Sequence, residues 1–203
     1  MNLVPVQPTS APGEGVTARI WELTKGRVSP LLVAIDGRSG AGKSTLAAAV
    51  SLRTGAVVID GDDFYAGSSA EMWDGMTPAQ LVEHCIDWRR QRVVLGELSY
   101  RRTASWSPYD WDADDGSRSK VAVNCQPADV VILEGAYSAR PELGELLALK
   151  VLLNTPPLIR RQRLLEREGE QYRAEWEARW ACAEDHYFES VMPEAAFDLV
   201  VGS

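Results

Sequence analysis

The chain predicts an α/β fold in three layers around a parallel sheet, and three observations carry that expectation. Short apolar runs recur along it, at 31–35, 56–60, 130–134, 149–153 and 198–202, each of the length and composition of a buried strand. Stretches of helical spacing lie between several of them, the alternation that builds parallel sheets covered by helices. The first run is followed at once by a glycine-rich turn, Gly37-Arg38-Ser39-Gly40-Ala41-Gly42, and then by a helix-forming segment from Lys43.

That turn and its flanks form the central motif. Gly37 to Thr45 matches G-x-x-x-x-G-K-S/T, the phosphate-binding P-loop. A strand, a glycine turn and a helix N-terminus aim backbone N–H groups and the positive end of a helix dipole at one point, which makes an anion site. The expected nucleotide contacts are Gly37, Ser39, Gly40, Ala41, Gly42, Lys43, Ser44 and Thr45. Lys43 reaches the β- and γ-phosphates, and the Ser44 hydroxyl serves Mg²⁺.

Whole-chain properties bound the rest. At 203 residues with 45% hydrophobic and 25% charged content, the sequence reads as one soluble domain spanning 1–203 with a full core. Its net charge of −8 opposes a nucleic-acid surface. Cys85, Cys125 and Cys182 lie far apart, with no metal-ligand spacing, so neither a disulfide framework nor a zinc site is expected. No apolar run reaches the roughly 20 residues of a membrane span, and no signal peptide is evident. A cytoplasmic protein is the expectation.

In chain order, residues 1–15 read as a loose arm, rich in proline and glycine. Val16–Lys25 reads as an amphipathic helix capped by Thr17, packing through Ile20, Trp21 and Leu23 and ended by Gly26. The second strand runs into Asp60-Gly61-Asp62-Asp63-Phe64-Tyr65. Ligands of parallel sheets bind beyond the carboxyl ends of the strands, so these carboxylates share an edge with the P-loop. Three aspartates in four positions call for a neighbouring cation or hydrogen-bond donors. Residues 66–125 form an insertion. In it Thr77-Pro78 starts a helix, and Leu81, Val82, Cys85, Trp88, Val93 and Leu95 give an incomplete stripe. Residues 99–124 read as short strands around a turn at Asp114-Asp115-Gly116. Trp73, Trp88, Trp106 and Trp111 lie here, and flat aromatic walls suit a planar acceptor. Glu134, at the end of the third strand, points at the phosphate cleft, where it serves Mg²⁺ through water. The helix after Asn154-Thr155-Pro156-Pro157 carries Arg160 and Arg163 on one face. With 158–172 it makes an arginine lid, the side chain that binds phosphate bidentately. Arg173–Phe188 reads as a long helix packed through Trp176, Trp180, Ala183 and Tyr187.

GRSGAGKST, one helix, one strand and then Asp62-Asp63-Phe64-Tyr65 resemble the uridine kinase and phosphoribulokinase branch of P-loop kinases. Pro108-Tyr109-Asp110-Trp111, Glu134-Gly135, Arg160-Arg161-Gln162-Arg163 and Asp198-Leu199 match later motifs of that branch in order. The resemblance implies a five-stranded parallel sheet ordered 2-3-1-4-5, with the γ-phosphoryl group of ATP passing to an alcohol in the presence of Mg²⁺. It makes Asp62 the base that accepts the hydroxyl proton. Asp87 grips the acceptor, with Asp74 as the alternative register, and Tyr65, Tyr109 and Trp111 assist. Lys43, Arg160 and Arg163 stabilise the transferring group.

The chain departs from uridine kinases after Tyr109. Those enzymes place a base-contacting histidine there, and this chain has Ala113-Asp114, with only His84 and His186 elsewhere. The expected acceptor is therefore a nucleoside or nucleoside-like small molecule. Another small alcohol, such as a vitamin precursor or amino sugar, is the alternative, and a P-loop NTPase switch without an acceptor is the rival class. The sequence leaves a homodimer open.

Overall fold

A computed structural model describes residues 12–169 and 174–202 of the chain. They run α1 (Pro12–Thr24), β1 (Leu31–Asp36), α2 (Lys43–Thr54), β2 (Val57–Asp60), α3 (Ala70–Asp74), α4 (Pro78–His84), α5 (Trp88–Ser99), β3 (Ala104–Trp106), β4 (Val123–Cys125), β5 (Val130–Glu134), β6 (Leu149–Asn154), α6 (Pro157–Glu168), α7 (Ala174–His186) and β7 (Leu199–Gly202). Five strands pair in parallel in the order β2-β5-β1-β6-β7. Counted over these five strands alone, that is the expected 2-3-1-4-5.

The centre of the sheet follows from composition. Every residue of β1 and β5 is buried, as unbroken apolar runs demand when helices cover both faces. The edge strands β2 and β7 alternate between exposed positions and buried or partly buried ones. One face packs Leu31, Val33 and Ile35 against Val16 and Ile20 of α1 and Leu46 and Val50 of α2. The other packs Leu32, Ala34, Val131 and Leu133 in one cluster with Leu81 of α4, Leu95 and Leu98 of α5 and Ala183 of α7. Register places Ile35 beside Glu134 and Glu134 beside Asp60, so the acidic strand ends line up along one edge.

Several expectations need correction. The described part of the arm is already helical from Pro12, and Gly13 lies over Leu46 and Ala49 of α2. Thr17 lies inside α1 rather than at its start, and its hydroxyl donates to the Gly13 carbonyl at 2.6 Å. Trp21 and Val93 face solvent, since each falls off the buried stripe of its helix. The helical stripe of the insertion is two helices, α4 and α5, broken at Cys85-Ile86-Asp87, where Ile86 bridges to Tyr65. Thr77 does cap α4, in a reciprocal capping box with Gln80. The arms of the turn at 114–116 meet in an antiparallel β3–β4 pair and a bridge between Tyr109 and Arg118. The final long helix turns into a π-helical segment, Tyr187–Val191. Arg173, the side chain of Trp176 and the end of the 158–172 lid lie outside the described residues and side chains.

Candidate active site

The P-loop spans the step from β1 to α2. Gly42 caps α2 with φ 97°, and Gly40 has φ 74°, a region that favours glycine. A Cβ on Gly40 would fall 2.6 Å from the Arg160 carbonyl oxygen, so the loop lies directly against α6. The Arg163 Nη1 donates to the Ala41 carbonyl at 2.8 Å, and the Arg160 Nη1 to the Ser39 carbonyl at 3.3 Å. Both lid arginines are thus parked on P-loop carbonyls. Arg163 and Arg167 also face the main cavity, whereas Arg160 lines a neighbouring hollow of about 190 Å³ with Arg38, Asn154, Thr155, Phe188 and Glu194.

The acidic run after β2 separates into three roles. The Asp60 carboxylate accepts the Asp62 N–H at 2.9 Å and caps the tight turn Gly61–Phe64. Gly61 makes that turn possible, because a Cβ there would sit 2.7 Å from the Glu134 carbonyl oxygen. Asp62 then faces the main cavity. Asp63 turns away and accepts the Trp106 Nε1–H at 2.7 Å.

The main cavity, about 310 Å³, gathers Ser39, Gly40, Gly42, Lys43, Ser44, Thr45, Asp62 and Glu134 on its polar side. Tyr65, Trp111, Tyr137 and Trp180 form its aromatic lining. Tyr65 and Trp111 stack with centroids 5.1 Å apart at 18°, and Trp180 meets Tyr65 edge-on. Burial pushes the Glu134 carboxyl up to about 7, and the Asp60 and Asp62 charges add to this. The Ser44 hydroxyl bond and Lys43 pull it back. Burial, then the charge of Asp62, likewise raises Asp60.

Other sequence-derived positions fall outside the cavity lining. Gly37 presses against the Leu153 carbonyl. Ala41 is buried, and its carbonyl also accepts the Thr155 hydroxyl at 2.9 Å. Asp87 caps α5 by accepting the Arg90 N–H at 3.2 Å and lies 3.9 Å from Arg118. Asp74 pairs with Arg179 at 2.5 Å on the surface. Tyr109 is buried, donates its hydroxyl to Asp114 at 2.8 Å and meets Tyr65 edge-on.

Sequence reasoning missed Asp36, Glu184 and the polar role of Tyr187. Asp36 is fully buried. It accepts the N–H groups of Gly37 at 2.7 Å, Tyr137 at 3.1 Å and Ala139 at 3.0 Å, and the Tyr187 hydroxyl at 2.8 Å. Burial still pushes its carboxyl up to about 6. The signal was an acid ending an otherwise apolar central strand.

No family model matches the chain. It is 28% identical over 145 residues to the uridine kinase of Ureaplasma parvum serovar 3, covering 66% of this chain and 68% of that protein. To the uridine kinase of Limosilactobacillus reuteri it is 27% identical over 144 residues, covering 68% of this chain and 65% of that protein. Among solved structures it superposes on a possible uridine kinase from Bacillus stearothermophilus with a TM-score of 0.63 at 24% identity, over 92% of this chain and 98% of that one. A Silicibacter sp. TM1040 kinase, provisionally named for fructose transport, gives a TM-score of 0.71 at 21% identity, over 95% of this chain and 100% of that one. The chain is similar to uridine kinases and has the fold of P-loop kinases. This kinase is an ATP-dependent phosphotransferase with an alcohol group as acceptor. No described helix of the kinase is long and apolar enough to cross a membrane.

Proposed function

We propose that the kinase transfers the γ-phosphoryl group of ATP to a hydroxyl of a nucleoside or nucleoside-like small molecule. One observation carries this reading: Lys43, Ser44 and Asp62 line the same cavity as the Tyr65, Trp111 and Trp180 rings. Phosphate chemistry and a wall for a planar ring therefore meet in one space. The uridine kinase relatives favour a nucleoside over other alcohols.

In this reading the P-loop amides and Lys43 hold the β- and γ-phosphates. The hollow beside Arg38 and Phe188 takes the base of ATP. The acceptor oxygen attacks the γ-phosphorus, its proton passes to the Asp62 carboxylate, and the bridging oxygen leaves with ADP. Arg163 and Arg160 leave the P-loop carbonyls for the transferring group. Ser44 and Glu134 offer the hard oxygen donors that suit Mg²⁺, and the raised Glu134 carboxyl marks a place where a cation is favourable. Mg²⁺ there would neutralise charge on the β- and γ-phosphate oxygens. Asp87 grips the acceptor after Arg118 moves off it.

A second reading, another small alcohol as acceptor, has one observation in its favour. The position of the missing histidine belongs to Ala113-Asp114, and Asp114 is engaged by the Tyr109 hydroxyl. A thermal-shift screen of nucleosides and sugars with a non-hydrolysable ATP analogue, followed by mass spectrometry of the product, tests both. A phosphorylated nucleoside supports the proposal, and a phosphorylated sugar or vitamin precursor with inert nucleosides overturns it. Acceptor-independent ATP hydrolysis alone makes the protein an NTPase switch.

A further inference from the structure

The C-terminal half of α7 and the π-helical segment that continues it hold three successive residues of the P-loop, two directly and one through Asp36. Glu184 is buried and accepts the Ser39 N–H at 2.6 Å, while its other oxygen lies 3.9 Å from the Arg160 guanidinium. Asp185 pairs with Arg38 at 2.5 Å, and Arg38 also lies over the Phe188 ring, 5.2 Å from its centroid. Tyr187 donates its hydroxyl to Asp36, whose other oxygen accepts the Gly37 N–H. Gly37, Arg38 and Ser39 are therefore each held, directly or through Asp36, from one helix about 145 residues further along the chain.

The helix is built for this. Glu184 and Tyr187 are three apart and share a face. Beyond them the winding loosens, and the Met192 N–H bonds the Tyr187 carbonyl five residues back at 2.7 Å. Such π turns inside helices are frequent at functional sites. A carboxylate and a phenol are also unusual on a face otherwise sealed against the core. Core packing needs neither group, and an unbonded acid there would be costly. Nor does either residue have a role in the proposed phosphoryl transfer.

We propose that α7 registers the P-loop: Glu184 and Tyr187 are positioning residues that hold Gly37 and Ser39 so that the loop amides converge on phosphate. The inference rests on the proposed nucleotide site but makes a separate demand, on the order of the loop itself. Trp180 lies one turn before Glu184 on the same helix and lines the aromatic side of the cavity. The element that holds the phosphate loop thus also walls the acceptor space.

Hydrogen exchange on the full chain without ligand, read at the amides of 37–42, tests the order of the loop directly. Glu184→Ala and Tyr187→Phe should each speed exchange there, about tenfold for the former, the loss expected for a hydrogen bond to a charged group. Glu184→Gln keeps an acceptor for the Ser39 N–H and should stay near wild type. Calorimetric titration with Mg·ADP should follow the same order: Glu184→Ala about tenfold weaker, Tyr187→Phe several-fold weaker, and Glu184→Gln within about twofold. Unchanged exchange in Glu184→Ala and Tyr187→Phe overturns the inference, as does Glu184→Gln behaving like Glu184→Ala. If Glu184→Ala does not fold, Tyr187→Phe, which keeps the buried ring, decides alone. Lys43→Ala separates the two readings: if it binds Mg·ADP like wild type, the nucleotide site is wrong, whatever the exchange data say of α7.

Discussion

The phosphate side and the acceptor side of this kinase are held by different physics. Around the P-loop, order comes from hydrogen bonds to backbone. Asp36 alone takes four donors, and Arg160, Arg163, Thr155 and Glu184 satisfy loop carbonyls and an amide. Around the aromatic side of the cavity, order comes from ring faces: Tyr65 touches Trp73, Tyr109, Trp111 and Trp180. Amides that cradle phosphate serve any nucleotide, because the phosphate is the same in each. Ring walls fit one shape. In the proposed reading the first region therefore sets the reaction and the second the substrate.

The largest expected effect tests the phosphate side. Asp62→Asn should lower turnover by about 10²- to 10⁴-fold, the range for losing a positioned base, with Mg·ADP affinity nearly intact. Retention of more than about a tenth of the activity would place the base elsewhere. Trp106→Ala tests the other side through stability. Trp106 is buried, stacks on Phe64 at 5.7 Å and caps Asp63, so its loss should cost about 3–5 kcal/mol in a denaturant titration.

A smaller effect contrasts the two sides by pH. Glu134 and Asp36 have carboxyls pushed up by burial to about 7 and about 6, from 4.5 and 3.8. A raised acid favours folding while protonated, so the unliganded chain gains full benefit below about pH 4 and loses it as pH rises through 6 to 7. Glu134→Gln should flatten that fall by about 3 kcal/mol in pH-dependent unfolding. Mg·ADP affinity should move the opposite way and rise with pH through about 7, because Glu134 must lose its proton to serve the cation. Acceptor-side variants should leave both slopes alone. The smallest effect is on Trp111, which is 53% exposed. Trp111→Ala should cost about 0.5–1.5 kcal/mol of stability, the range for losing an aromatic pair, while raising the acceptor KM.

The glycine turn of the P-loop and the strand order were legible in the residues. Gly40 and Gly42 sit at left-handed φ, and the apolar runs of β1 and β5 became the wholly buried strands of the sheet. Thr77-Pro78 was legible for the same reason, since a cap bonds within three residues. Trp21 and Val93 were misplaced because a helical stripe shows that a buried face exists but not how wide it is. The parting of Asp60, Asp62 and Asp63 into a cap, a cavity wall and a tryptophan partner was not legible. It depends on Trp106, which is 43 residues further along.

By itself the sequence determined what is local: a loop that binds phosphate, the strands that present it, and an acid one strand away. Those features rest on backbone conformations and bonds that close within a few residues, so composition and spacing specify them. The tertiary structure decided which distant groups complete them. It brought α7 onto the P-loop, laid Arg160 and Arg163 on its carbonyls and stacked Tyr65 against Trp111. Such contacts join positions tens to more than a hundred residues apart. They form only once both faces of the sheet are packed and the helices have no freedom left to lie elsewhere.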